Sequence, residues 1–289
     1  MLTKQEVISL KGSKKTLNKH LKVFIIIVGI LITILIILQS GMIYIHNKGT
    51  WKPNYEKKDI RGILYKQNLT DEEYNLIFAQ TGISRKPLDV MRKNNRYDDI
   101  LSIQEAYFKN FPVQHEVFAP FTCSDRMSVN IPLIPLEDGD IIVSPSSHVS
   151  YLKSGHAAIV INAKEGRILN ATGYDYPSSV EDITELNCRP AFIVLRLKAT
   201  SEKRSEIDRY ALENLNEINY SLIAGIFDKY KDGNVKATHC GHLIWYAFNR
   251  FGYNLDSNGG LAVWPEDIAN SEYLEVMQIY GVNPNNFWK

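Results

Sequence analysis

The sequence predicts an α+β protein built on an antiparallel sheet, and three observations carry that expectation. Helical patterns come first, short apolar runs broken by turn residues follow, and helical patterns return, an order that segregates helices from strands instead of alternating them. Two of the apolar runs are joined by Lys164-Glu165-Gly166, a connection short enough for an antiparallel hairpin. The N-terminus is set apart from all of this by an uncharged run from Val23 to Ile45.

That run is close to the ~20 apolar residues a helix needs to cross a bilayer. Lys4, Lys11, Lys14, Lys15, Lys19 and Lys22 precede it, a flank that favours keeping this end in the cytoplasm. Gln39-Ser40-Gly41-Met42 does not resemble the small-residue cleavage site of a secretory signal. The expectation is an uncleaved single-pass anchor in the plasma membrane with the rest of the chain outside the cell. The expected divisions are a basic cytoplasmic segment over 1–22, a transmembrane helix over 23–46 and a linker over 47–67. A small helical segment over 68–131 and the main domain over 132–289 follow. The chain has 289 residues, 45% of them hydrophobic, enough to bury a sizeable core. Its formal net charge of +1 gives no bulk attraction for nucleic acid, so no nucleic-acid partner is expected.

Within the helical segment, Thr70 followed three residues later by Glu73 reads as a capping box, with Tyr74, Ile77 and Phe78 at helical spacing and Gly82 as the stop. Further helices are expected over Pro87 to Arg92 and Tyr97 to Phe111. Glu137-Asp138-Gly139-Asp140 is a turn leading into a strand at Ile141-Ile142-Val143. Strands are expected at His156 to Ile161, Arg167 to Ala171 and Ala191 to Leu197. A helix follows from Ser201 to Asn216, with Ile207, Tyr210, Ala211 and Leu215 on one face. The last expected helix starts near Cys240, where Leu243, Ile244, Ala247, Phe248 and Phe251 recur at helical spacing before Gly252.

The three cysteines, Cys123, Cys188 and Cys240, are an odd number for an exported domain, so at least one is unpaired. Cys123 and Cys188 are candidates for pairing with each other. Cys240 falls in the first turn of its helix, where unsatisfied N–H groups and the helix dipole favour a thiolate and should lower the thiol pKa. Four readings are open for it: a redox pair, which lacks a Cys-x-x-Cys partner; a zinc site with His239 and His242; a small core cysteine; and a nucleophile. A nucleophile needs a base and a residue that orients it. His156 opens an apolar strand, and Asn170 interrupts the apolar run of the strand paired with it.

Taken in chain order, Asp138-Gly139-Asp140-Ile141-Ile142-Val143, then Gly155-His156-Ala157-Ala158-Ile159-Val160, then Thr238-His239-Cys240-Gly241-His242-Leu243-Ile244-Trp245 resemble the circularly permuted branch of the NlpC-type papain-like cysteine hydrolases, the YiiX/YebB/YycO-like group. The resemblance covers about Leu136 to Gly281. It implies a permuted papain-like domain in which the histidine strand precedes the cysteine helix. Cys240 would then be the nucleophile, His156 the general base and later acid, and Asn170 the residue orienting the imidazole, at a position where many members of the group carry Glu. Tyr220 would line the substrate site, and Gly241, where Ser is frequent, would contribute its backbone. The implied activity is hydrolysis of an amide or ester through a thioacyl-enzyme, without a cofactor, on a cell-wall peptide or a lipid. A non-catalytic binding module on the same fold, or a lipid-directed esterase or acyltransferase, is the alternative.

Overall fold

The computed structural model describes residues 4–114, 122–149, 152–173, 176–226 and 235–288. The chain divides into two compact units, Met1–Ile45 and His46–Lys289. The first is helical: α1 runs Lys4–Gly49, and its Lys19–Gly41 stretch is long and apolar enough to cross a membrane.

The second unit is α+β. It begins with α2 (Arg61–Leu64), α3 (Asp71–Thr81), α4 (Arg85–Lys93) and α5 (Tyr97–Phe108). Thr70 and Glu73 form the expected capping box of α3, and Gly82 closes that helix in the left-handed conformation, φ 72°. The stretch expected as a linker instead lies against the core of this unit. Ile60 and Leu64 are fully buried, and the Trp51 N–H donates to the Gly281 carbonyl at 2.9 Å. Isolated apolar residues among charges carry no periodicity, which is why the sequence pattern concealed this packing.

The main sheet has six strands: β1 (Ile141–Ser144), β2 (His156–Asn162), β3 (Arg167–Asn170), β4 (Ser179–Asp182), β5 (Phe192–Leu197) and β6 (Leu274–Tyr280). Its spatial order is β6-β5-β1-β2-β3-β4, and every pairing is antiparallel. Every residue of β1 and β5 is buried, which explains their runs Ile141-Ile142-Val143 and Phe192-Ile193-Val194-Leu195. β2 and β3 form the expected hairpin. No strand is expected from the sequence at β6, because Glu275 and Gln278 interrupt its apolar residues and no turn signal introduces it. Smaller two- and three-stranded ribbons flank the sheet, one of them a parallel pair joining Asn219-Tyr220 to Ala237-Thr238.

The remaining helices are α6 (Thr184–Asn187), α7 (Ser201–Leu215), α8 (Cys240–Asn249) and α9 (Pro265–Ala269). α7 and α8 pack on each other and on β2, and α9 packs on α8 and β1. The turn before β1 is tied down by charge. Arg196 on β5 grips the Asp140 carboxylate with two bonds, 2.7 and 2.8 Å, and with Arg204 of α7 also holds Glu137.

Candidate active site

Residue 155 must be glycine for His156 to enter β2 as it does. Gly155 has φ +69°, and a Cβ there would lie 2.3 Å from Cη2 of Trp288. The N–H groups of Ser154 and Gly155 both donate to the Ser147 carbonyl, which fixes this turn. His156 pairs with Ser144 across β1 and β2, and its ring is buried. Ring Nε2 lies 2.6 Å from Asn170 Oδ1 on the adjacent β3. Asn170 in turn donates from Nδ2 to Glu181 Oε2 on β4 at 2.9 Å, and Ser179 Oγ donates to the other carboxylate oxygen at 3.0 Å.

This chain settles a proton. A carboxylate accepts and does not donate, so the amide must turn Nδ2 toward Glu181 and Oδ1 toward the ring. An Oδ1 acceptor requires a hydrogen on Nε2, which leaves the lone pair of a neutral ring on Nδ1.

Cys240 is the first residue of α8. Its predecessor His239 is the N-cap, with ring Nδ1 accepting from the His242 N–H at 3.4 Å and the ring stacked on Trp264, centroids 5.3 Å apart. Gly241 is held by close approach, since a Cβ there would come 2.1 Å from the Val263 carbonyl oxygen. The thiol is half-buried, and backbone N–H groups of Ala157, Gly241 and Cys240 itself point to the sulfur. Ala157 directly follows His156 in β2, so one strand supplies both the imidazole and a contact to the sulfur.

The electrostatics differ from the expectation for a helix-start cysteine. Burial pushes the Cys240 thiol above the ordinary thiol range, and the three N–H groups and the Arg189 charge only partly offset it. His156 is held down to about 3, first by burial and then by the Arg189 charge, with the Asn170 hydrogen bond opposing. The resting pair is therefore a neutral thiol and a neutral imidazole. The helix dipole falls short because it acts over one turn at a partly buried sulfur, where desolvation of the anion is the larger effect.

Cys240 and His156 open on one cleft of about 180 Å³, with Tyr220 on its wall. Asn170 stands behind the ring, buried. Gly241 is not part of the cleft lining, so its expected role reduces to a backbone beside the sulfur. The side chain of Cys123 lies outside the described residues, and Cys188 is a buried free thiol 3.8 Å from Arg126 Nη1. Two residues of this neighbourhood escaped the sequence reading. Glu181 orients Asn170, and Arg189, 2% exposed, lines the cleft. Both are charges on ordinary-looking segments, and only the pairing of Asn170 with Ser179 and the course of the chain after α6 bring them here.

Comparison with known proteins gives one short likeness. Over 50 residues, 17% of this chain, the sequence is 46% identical to the uncharacterized protein YycO of Bacillus subtilis (strain 168). The match covers 20% of that protein, about a fifth of its length. No protein-family model matches the chain, and no solved structure matches it.

Proposed function

We propose that the protein is a membrane-anchored, exported cysteine hydrolase on a permuted papain-like domain, cleaving an amide or ester, with cell-wall peptides as the substrates its location fits. One observation carries this reading: His156, oriented through Nε2 by Asn170, shares a cleft with the helix-start thiol of Cys240. As carbonyl carbon approaches sulfur, the Cys240 proton passes to His156 Nδ1, the nitrogen the Glu181–Asn170 chain leaves with its lone pair. The helix-start N–H groups gathered at the sulfur stand beside the carbonyl oxygen, where negative charge develops. The imidazolium then gives its proton to the departing amine or alcohol. Water, activated by the same nitrogen, releases the acid and frees the thiol.

A non-catalytic binding module is favoured by one fact, the upward push of burial on the Cys240 thiol. The apolar Lys19–Gly41 stretch is equally suited to a lipid ester or acyl-transfer substrate. Intact cells treated with an activated ester too polar to cross the membrane separate these readings. Mass spectrometry should find a thioacyl group on Cys240 that turns over, and that is absent from Cys240→Ala and His156→Ala. A thiol that stays unacylated in purified, folded protein would overturn the hydrolase, and acylation in purified protein but not on cells would overturn the external location.

A further inference from the structure

The mechanism makes no use of Arg189, although it is the most deeply buried cation in the cleft. Its side chain is 2% exposed. Nε donates to the Glu185 carbonyl at 2.9 Å and Nη1 to Ser147 Oγ, while among the described residues Nη2 has no partner and no carboxylate pairs with the guanidinium. Burying a charge without a counter-ion is costly, and the cost shows: burial and the neighbouring Arg126 pull this guanidinium down to about 10, still charged at neutral pH. Arg126 is already matched, with an ion pair to Glu185 at 2.5 Å. Glu185 therefore reaches Arg189 only as a charge at a distance, and the cleft wall keeps a guanidinium that no carboxylate among the described residues hydrogen-bonds and that acts on both Cys240 and His156.

We propose that Arg189 receives a carboxylate of the substrate, so that the enzyme acts on amides or esters bearing a free carboxylate close to the scissile carbonyl. This rests on the reading of Cys240 as nucleophile. The geometry selects the ligand by charge and shape. The open nitrogen belongs to a planar fork that matches the two oxygens of a carboxylate. Beside it the Ser124 and Ser147 hydroxyls, 2.6 Å apart, line the same cleft as further hydrogen-bonding groups. A single unmatched cation neutralises a single negative charge, which a doubly charged phosphate exceeds. The cleft's volume of about 180 Å³ has room for the carboxylate beside the reacting carbonyl.

The test uses iodoacetate and iodoacetamide, alkylating agents of nearly one size that differ in the carboxylate. In both, the Cys240 sulfur displaces iodide from carbon and the thiol proton leaves through His156 to solvent. Rates are read by mass spectrometry on the Cys240 peptide of the whole protein, with glutathione as the reference thiol. The iodoacetate-to-iodoacetamide ratio should exceed that of glutathione by about 10- to 100-fold, the scale of a charge-assisted hydrogen bond. Arg189→Gln should return the ratio to that of glutathione, and Arg189→Lys should keep part of it. Acetate should protect the wild-type thiol better than acetamide or inorganic phosphate does, a readout that needs no variant. Alkylation by iodoacetamide that depends on His156, with no preference for iodoacetate, would overturn the carboxylate subsite and leave the nucleophile standing. Better protection by phosphate would overturn the carboxylate assignment, and a thiol inert to both agents would overturn the subsite together with the nucleophile.

Discussion

At the scale of single residues, the site is a line of groups each fixing the next: Ser179 holds Glu181, Glu181 holds Asn170, Asn170 holds His156, and His156 faces the cleft that Cys240 shares. The group that transfers the proton and the group that attacks are irreplaceable in such a line, whereas those that orient are supports. Cys240→Ala and His156→Ala should each remove turnover while leaving the protein folded, with His156→Ala the less stable of the two because it leaves Asn170 Oδ1 without its donor. Asn170→Ala should lower kcat on the order of 10²-fold, within the usual worth of a positioned base. Glu181→Gln is the sharper probe. A glutamine can offer its own Nε2–H to Asn170 Oδ1 or to the Ser179 hydroxyl, so the amide is no longer forced to present oxygen to the ring. The variant should lower kcat by roughly tenfold with KM unchanged, and ring-nitrogen NMR should show a mixture of tautomers in place of one. An unchanged tautomer signal would remove Glu181 from the line.

At the scale of elements, the nucleophile is placed by a helix whose first turn is pressed against another backbone. Gly241→Ala sets a methyl group 2.1 Å from the Val263 carbonyl, backbone that cannot swing aside as a side chain can. The variant should be less stable by about 1–3 kcal/mol, the usual cost of overpacking, despite alanine's better helix propensity, and denaturant melts read this directly. A neutral or stabilising result would mean that α8 shifts freely along β2. Much of this architecture is legible in the sequence, and the legible parts share a cause. The capping box at Thr70, the hairpin at Lys164-Glu165-Gly166 and the apolar face of α8 are local patterns, written within a dozen residues. What stays hidden is long-range. Ile60 and Leu64 look like strays in a charged linker until the rest of the unit supplies a surface for them. β6 becomes a strand because β5 offers a partner edge. The Cys240–His156 pair could be read because chain order and residue type announce it, while Glu181 depends on a strand register that nothing nearby encodes.

At the scale of the whole molecule, placing neutral histidines in the interior makes stability depend on pH. His156 and His239 are both held down to about 3 by burial, His156 further by Arg189 and His239 further by His242. In the unfolded chain each titrates near 6.5. Between about pH 6.5 and 3 the unfolded state therefore binds more protons than the folded one, so stability rises with pH through that window and is lost as pH falls. Each ring contributes a slope of at most about 1.4 kcal/mol per pH unit. Asp208, buried and raised to about 6 by its own burial, works the other way: its folded state holds a proton that the unfolded state has released, which stabilises the protein only below about pH 6. Asp140, raised by its own burial, shares the sign of Asp208, whereas Glu72, Glu73, Asp182 and Glu202, lowered by hydrogen bonds, share that of the histidines, so acidification is a net loss. On the alkaline side the raised Cys240 thiol has the sign of Asp208, so stability declines once an unfolded thiol ionises. Lys52, lowered to about 8 by burial, has the sign of the histidines and opposes that alkaline decline. Chemical denaturation followed from pH 7 to pH 4.5 should show the unfolding free energy falling, and His156→Gln should make that slope clearly shallower while also removing turnover. A flat profile over this range, or a His156→Gln variant with the wild-type slope, would mean that the folded protein protonates the ring near its ordinary value, which would overturn the neutral ring held down by burial.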